Sequence, residues 1–155
     1  MIIKTPDKYF LVKGFAEGET ELNAFDNALL AAGVGNTNLV RMSSILPPSA
    51  KEVEPMKLPY GALVPIAYAD ESSSLPGETV SAGVAVGITD DPSLPGVIME
   101  HHMHGSEEEC RKIVIMKVES AFKVRGWKLA DMKVAVISGK VERIGAAFAG
   151  VVLWT

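Results

Sequence analysis

Two adjacent serines lie in the stretch Asn38-Leu39-Val40-Arg41-Met42-Ser43-Ser44-Ile45-Leu46-Pro47-Pro48. The residues before the pair are typical of a β-strand. The two prolines interrupt any strand, because proline supplies no backbone donor to a ladder. The sequence therefore predicts a strand over 38–43 that is broken before Pro47.

Capping signals and apolar spacing predict one helix on each side of this stretch. Thr20 can cap the first helix, which Gly33 and Gly35 end. Its apolar face comprises Leu22, Phe25, Ala28, Leu29 and Ala32. Ser106 and Glu109 have capping-box spacing at the start of a second helix. That helix ends near Gly126, and its apolar residues are Ile113, Met116, Val118 and Phe122.

Further strands are predicted over 9–15, 61–69, 79–89, 96–103, 132–138 and 144–154. Residues 49–59 read as a loop and residues 71–77 as a turn. Two helices with six or seven strands predict an α+β fold of layered sheets. Because no linker or repeat divides the 155 residues, we expect one domain over 1–155.

Composition excludes several classes of protein. A net charge of −4 provides no polycationic surface, so we expect neither nucleic acid nor an anionic membrane as a partner. The single cysteine, Cys110, excludes an internal disulfide and is typical of a cytoplasmic protein. The large apolar fraction, 48% with only 6% aromatic residues, leaves room for a subunit interface.

The serine pair can support a reaction of the backbone itself. The Ser44 hydroxyl can attack the Ser43 carbonyl carbon and convert the amide into an ester. β-Elimination then releases the Ser43 carboxylate and leaves dehydroalanine at position 44. Hydrolysis of dehydroalanine releases ammonia and produces a pyruvoyl group, a ketone covalently attached to the chain. The products would be residues 1–43 and 44–155.

This reaction needs a constrained turn and a donor for the oxyanion. Pro47-Pro48 stiffens one side of the pair, Gly33-Val34-Gly35 lets backbone amides approach on the other, and Asn38 can act as donor or orienter. Residue types alone leave a second interpretation open. A Ser-Ser turn before prolines is common in loops that carry no chemistry.

Ordered matches along the chain extend beyond the serine pair. They comprise Gly18-Glu19-Thr20, Leu22-Asn23-Ala24-Phe25-Asp26, Gly35-Asn36-Thr37-Asn38-Leu39, Ser43 to Pro48, Leu58-Pro59, Gly61-Ala62-Leu63-Val64-Pro65, Pro76-Gly77-Glu78-Thr79, Ile98-Met99-Glu100 and Arg125-Gly126-Trp127. With these motifs the sequence resembles the pyruvoyl-dependent arginine decarboxylases. The resemblance implies a four-layer αββα sandwich of mostly antiparallel sheets.

The resemblance also implies an activity and an assembly. The chain would cut itself between Ser43 and Ser44, with Asn38 assisting, and would use the pyruvoyl cofactor to convert L-arginine into agmatine. Its active sites would lie between neighbouring subunits of a homotrimer, which can pair into a dimer of trimers. Agmatine production would serve polyamine synthesis or acid consumption.

Site residues follow from the same resemblance. Glu100 occupies the position of the acid that returns a proton to the substrate, and burial would keep it protonated. Asp26 occupies the position that binds the substrate guanidinium. Leu29, Gly35, Ser43 and Ile98 occupy the remaining substrate positions. From the residues alone, Glu100 could instead end a strand in solvent, and Asp26 could lie on a polar helix face.

Two segments depart from the family pattern. Thr37 stands where an apolar residue is expected, and His101-His102-Met103-His104 replaces a Tyr-Glu-Gly type of sequence. On a strand His102 and His104 share one face and His101 takes the other, which is too few ligands for a metal site. We therefore predict no metal, and an exposed strand end or subunit surface for these histidines. His101 could still tune the pH dependence of Glu100.

Alternatives remain for Cys110 and for the function. The first turn of a helix can lower a cysteine pKa, although the glutamates beside Cys110 oppose this, so a structural cysteine is the simpler interpretation. The same chemistry could act on lysine or ornithine, because one carboxylate favours a cation without setting its length. The chain could also remain uncut and act as a non-catalytic subunit.

Overall fold

The structure is a computed structural model that describes residues 3–155. Its elements in chain order are β1 (Lys8–Glu17), α1 (Glu21–Ala31), β2 (Asn38–Arg41), β3 (Ile45–Leu46), β4 (Lys51–Glu52), β5 (Leu63–Ser73), β6 (Thr79–Ile88), β7 (Gly96–His104), α2 (Glu107–Arg125), β8 (Asp131–Lys140) and β9 (Gly145–Trp154). The strands form two sheets. Sheet 1 has the order β2-β5-β9-β1-β4, and sheet 2 has the order β3-β7-β6-β8.

Three apolar layers hold these elements together. Small residues such as Ala67, Ala82 and Ala149 fill the space between the two sheets. Phe10 and Phe148 pack sheet 1 against α1. A third cluster, Val114, Val118, Phe122 and Val136 among them, packs sheet 2 against α2. The layers therefore run α1, sheet 1, sheet 2, α2, which confirms the predicted αββα sandwich.

Both sheets are mostly antiparallel, as predicted. Among the strands of residues 3–155, only β2 with β5 and β1 with β4 pair in parallel. The central strand β6 is buried from Val80 to Gly87, because sheet 1 covers one of its faces and α2 the other. Burial on both faces accounts for its continuous run of small and apolar residues.

The helix ends follow the predicted caps. The Thr20 hydroxyl accepts a hydrogen bond from the Asn23 amide at 3.1 Å, and the Ser106 hydroxyl accepts one from the Glu109 amide at 3.2 Å. Gly126 ends α2 at a φ of 70°, a conformation that favours glycine. Within residues 3–155, neither helix combines the length and apolar character needed to cross a membrane.

Four local predictions are wrong. Residues 71–73 continue β5 through pairing with β9 instead of forming a turn, and the predicted loop 49–59 contains β4. Leu22 is 77% exposed, because α1 rests on sheet 1 along Ala24, Ala28 and Leu29. Met116 is 54% exposed, because the core stripe of α2 is Cys110, Val114, Val118, Ala121 and Phe122.

The chain passes from one sheet to the other at the serine pair. Strand β2 ends at Arg41 instead of Ser43, and the Met42 amide makes the last bond to sheet 1, with the Ile66 carbonyl at 2.8 Å. Strand β3 then begins at Ile45 on the edge of sheet 2. Residues 42–44 therefore span the open side of the sandwich.

Candidate active site

Ser44 is anchored to β7 through its carbonyl group. The Ile98 amide donates to the Ser44 carbonyl oxygen at 2.7 Å. The bond extends the register in which Ile45 lies opposite Val97 and Leu46 opposite Gly96. Ser44 itself forms a bend and is half-buried. Its backbone amide makes no hydrogen bond to any residue from 3 to 155, so only its carbonyl side is fixed.

Glu100 lies on the same face of β7 as the buried Ile98, because side chains alternate along a strand. When the pairing of β3 with β7 is continued by one residue, Ser44 lies opposite Ile98, and Glu100 is the diagonal neighbour of Ser44. Diagonal neighbours on paired strands are about 7–8 Å apart. The Glu100 side chain is 29% exposed, so it is less buried than predicted. The structure thus brings Ser44, Ile98 and Glu100 together.

Arg41 is part of this site, although sequence reasoning missed it. Its Nη2 atom donates to Glu100 Oε1 at 2.9 Å and to the Tyr68 carbonyl at 2.9 Å. Its guanidinium also lies 4.5 Å from the Tyr68 ring centroid. The bond to Glu100 raises the pKa of Arg41, which remains a cation. Charge complementarity was the available signal, because Glu100 is the only acidic residue of β7.

Asn38 lies at the start of β2, away from the Ser43-Ser44 bond. Its side-chain Nδ2 donates to the Gly61 carbonyl at 3.0 Å, and its backbone amide donates to the Ala62 carbonyl at 2.8 Å. The side-chain amide therefore fixes the entry of β2 against the loop before β5.

The other predicted substrate residues belong to the α1 layer. Asp26 is exposed and forms no ion pair with any residue from 3 to 155, whereas Leu29 is buried against sheet 1. Gly35 follows the helix, and a Cβ there would lie 2.6 Å from the Leu30 side chain, so the close approach requires glycine. No direct bond joins these residues to Ser44 within the described chain.

An aromatic contact links the α1 layer to the pair formed by Arg41 and Glu100. The centroids of the Phe25 and Tyr68 rings are 6.3 Å apart, and the Arg41 guanidinium lies over the Tyr68 ring. The Tyr68 ring also packs 5.4 Å from the Phe148 ring. Phe25, the residue before Asp26, therefore packs against Tyr68, the residue that contacts Arg41.

Comparisons with known proteins identify the family. The sequence profile of the pyruvoyl-dependent arginine decarboxylases matches residues 8–154. The chain belongs to this family. It is 49% identical over 151 residues to the pyruvoyl-dependent arginine decarboxylase of Methanocaldococcus jannaschii, covering 97% of this chain and 92% of the relative. It is 45% identical over 152 residues to that of Thermococcus sibiricus, covering 96% of each.

The pyruvoyl-dependent arginine decarboxylase family carries a covalent pyruvoyl group, and the surroundings of Ser44 fit one. The bond from Ile98 holds the Ser44 carbonyl, a group that would remain if the 43–44 bond were cut. No hydrogen bond of the Ser44 amide to residues 3–155 would be lost in the cut. The apolar Ile98 and the carboxyl group of Glu100 lie on the adjoining face of β7.

The histidine segment 101–104 forms polar contacts with glutamates. His102 Nδ1 lies 2.8 Å from Glu71 Oε2, and His104 Nε2 lies 3.2 Å from Glu71 Oε1. His104 also pairs with Glu78. The prediction that His102 and His104 share a face is confirmed, because both meet the same carboxylate. These contacts join sheet 2 to sheet 1 beside the site.

His101 lies on the opposite face of β7, toward α2. Its Nδ1 is 3.0 Å from Lys117 Nζ, and Lys117 also donates to the Glu100 backbone carbonyl at 2.9 Å. Burial and the Lys117 charge lower the pKa of His101, which favours the neutral ring. Lys117 is a second residue that sequence reasoning missed, and it fixes the backbone of Glu100.

Cys110 is a buried core residue of α2. Burial raises the pKa of its thiol to about 11, which supports the interpretation of Cys110 as a structural cysteine. The sulfur lies 3.6 Å from the His101 carbonyl oxygen, to which it can donate. Cys110 is therefore a neutral packing residue and not a nucleophile.

Proposed function

We propose that this chain decarboxylates L-arginine to agmatine in the cytoplasm. It uses a pyruvoyl group that it makes from Ser44 by cutting its backbone after Ser43, so that one domain becomes residues 1–43 and 44–155. The observation that carries the proposal is the anchoring of Ser44 to β7 beside Glu100. Denaturing mass spectrometry, followed by measurement of carbon dioxide release from arginine, tests it.

The self-cleavage uses the Ser44 hydroxyl as nucleophile toward the Ser43 carbonyl. The bend at Ser44 and the bond from Ile98 support this role, because they restrict the backbone next to the reacting groups. Asn38 assists by holding the entry of β2 through Gly61, and so sets the path of the chain toward Ser43. Pro47 and Pro48 restrict the other side.

In the decarboxylation, each side chain has a separate task. A pyruvoyl ketone at position 44 would supply covalent attachment for the substrate amine and an electron sink for the decarboxylation. Glu100 returns a proton to the substrate carbon that lost the carboxyl group. Ile98 provides an apolar floor between Ser44 and Glu100, and Ser43 lies at the cut end next to the substrate.

Substrate selection is assigned to Asp26, with Leu29 and Gly35 shaping the pocket. Asp26 supports this assignment because it is an exposed carboxylate with no cation paired to it within residues 3–155. A carboxylate can bind a guanidinium through two parallel hydrogen bonds, which favours arginine over the single ammonium of lysine or ornithine.

Changing Asp26 to Asn is expected to lower kcat/KM for arginine by about 10–100-fold, because a charged hydrogen bond contributes roughly 1.5–3 kcal/mol. The loss should appear mainly in KM and spare self-cleavage. Asp90→Asn, which changes an exposed carboxylate in the loop between β6 and β7, is the matched control. An unchanged KM for arginine in Asp26→Asn would remove Asp26 from the pocket. If lysine or ornithine is the better substrate of the wild type, the assignment of arginine is wrong.

A homotrimer, alone or paired into a hexamer, is proposed as the working form. Exposed apolar side chains lie next to Ser44 in the chain, Val40 and Met42 before it and Ile45 after it, and Leu63 is exposed opposite Asn38 at the start of β2. Residues 67–73 of β5 and 99–104 of β7 also have an unpaired edge within the described chain. Open edges and apolar surface favour association with another copy.

Leu63→Glu is expected to weaken this assembly, because it places a charge on a side chain that is 70% exposed at the proposed interface. Light scattering should show smaller particles, and activity should fall with assembly. Val124→Glu changes an 83% exposed residue on α2 and serves as the control. An unchanged particle mass in Leu63→Glu would exclude the surface around Leu63 from the interface.

A further inference from the structure

We propose that Arg41 is the positioning residue for Glu100, holding one carboxylate oxygen so that the other faces the substrate. This inference rests on the proposed function of Glu100 as proton donor. Arg41 bonds Oε1, while Oε2 has no hydrogen-bond partner among residues 3–155. Oε1 is thus bonded within the protein, and Oε2 is available for proton transfer.

Three interactions fix the Arg41 side chain. Its Nη2 reaches both Glu100 Oε1 and the Tyr68 carbonyl, and its guanidinium stacks over the Tyr68 ring. The Tyr68 ring itself packs against the rings of both Phe25 and Phe148. Arg41 therefore connects the partly exposed Glu100 carboxylate to the rigid apolar core.

Glu100 is consequently fixed at both of its ends. Lys117 from α2 binds its backbone carbonyl at 2.9 Å, and Arg41 from β2 binds its side chain at 2.9 Å. Positioning of this kind raises rates, because a displacement of about 1 Å at a reacting group can cost roughly 100-fold.

The pair also has a chemical consequence for the proton transfer. When Glu100 acts as donor, its O–H bond breaks, the electron pair stays on Oε2, and the proton bonds to the substrate carbon. The carboxylate so formed lies beside the Arg41 guanidinium, which stabilises its charge. Arg41 therefore makes release of the proton easier without touching the substrate.

Other charged groups surround the pair of Arg41 and Glu100, and one of them, Asp70, is influenced by the Arg41 charge. Asp70 and Glu71 lie on β5, His102 is the next residue on the Glu100 face of β7, and Lys117 lies behind the strand. Burial raises the pKa of Asp70, while the positive charges of His102 and Arg41 lower it.

The test compares Arg41→Gln, Arg41→Lys and Arg111→Gln, the last an exposed arginine on α2. Mass spectrometry first measures the pyruvoyl content, and kcat is expressed per pyruvoyl group. We expect Arg41→Gln to be cut normally and to keep KM for arginine within about 3-fold, whereas kcat falls roughly 10–100-fold.

Rescue by a conservative variant separates positioning from a structural role. Arg41→Lys retains the charge beside Glu100 and should restore kcat only in part, because lysine lacks the planar fork that reaches both Glu100 and the Tyr68 carbonyl. The KM for arginine should stay at the wild-type value in Arg41→Lys, because Arg41 does not touch the substrate. Arg111→Gln should match the wild type.

Three results would overturn the inference. They are a wild-type kcat in Arg41→Gln, a rise in KM with kcat unchanged, and failure of both Arg41 variants to be cut. The second would place Arg41 on the substrate, and the third would place it in self-cleavage. A wild-type chain that is neither cut nor active contradicts the proposed function instead.

Discussion

Ser44→Ala is expected to leave one intact chain with no decarboxylase activity. Alanine has no hydroxyl to attack the Ser43 carbonyl, so the amide cannot become an ester and no ketone can form at position 44. The whole chain has a mass of 16.5 kDa, and denaturing mass spectrometry distinguishes it from the two fragments of the wild type. Carbon dioxide release from arginine should fall to background.

Ser43→Ala is the matched control for this experiment. It removes the neighbouring hydroxyl but keeps the Ser44 nucleophile and the bond from Ile98 to the Ser44 carbonyl, so cutting should continue. Its KM for arginine should rise if Ser43 contacts the substrate. A Ser44→Ala chain that is still cut between 43 and 44, or a wild type that stays intact after long incubation, contradicts the proposed cofactor.

Glu100→Gln is expected to be cut normally but to lose about 10²–10⁴-fold in kcat, the range typical of a missing general acid. Glutamine has the size of glutamate, and its carbonyl oxygen can still accept from Arg41, so the strand geometry should persist. The amide has no proton to give at neutral pH. Steady-state kinetics per pyruvoyl group measure the loss.

Glu108→Gln provides the control for Glu100. Glu108 is an exposed carboxylate on α2 that pairs with Lys112 four residues later, far along the helix from the site. We expect it to leave both kcat and thermal stability unchanged. If Glu100→Gln kept wild-type kcat, another group would have to donate the proton. Arg41 could then not act by positioning Glu100.

Local signals predicted much of the fold. Thr20 and Ser106 begin their helices because their hydroxyls accept from amides three residues later, and Gly126 ends α2 because it tolerates a positive φ. The wrong predictions concern orientation instead. Leu22 and Met116 have the right spacing for a buried face, but the angle at which a helix meets its sheet determines which stripe is covered.

Residue order alone identified the serine pair, the family resemblance and the layered α+β class, because these depend on short motifs and on periodicity. Only the tertiary structure revealed that Arg41 and Glu100 form a pair. They are 59 residues apart in sequence and lie on different sheets. They meet because the chain changes sheets at 42–44 and leaves the edges of β5 and β7 side by side, a consequence of how two sheets stack and not of any local preference.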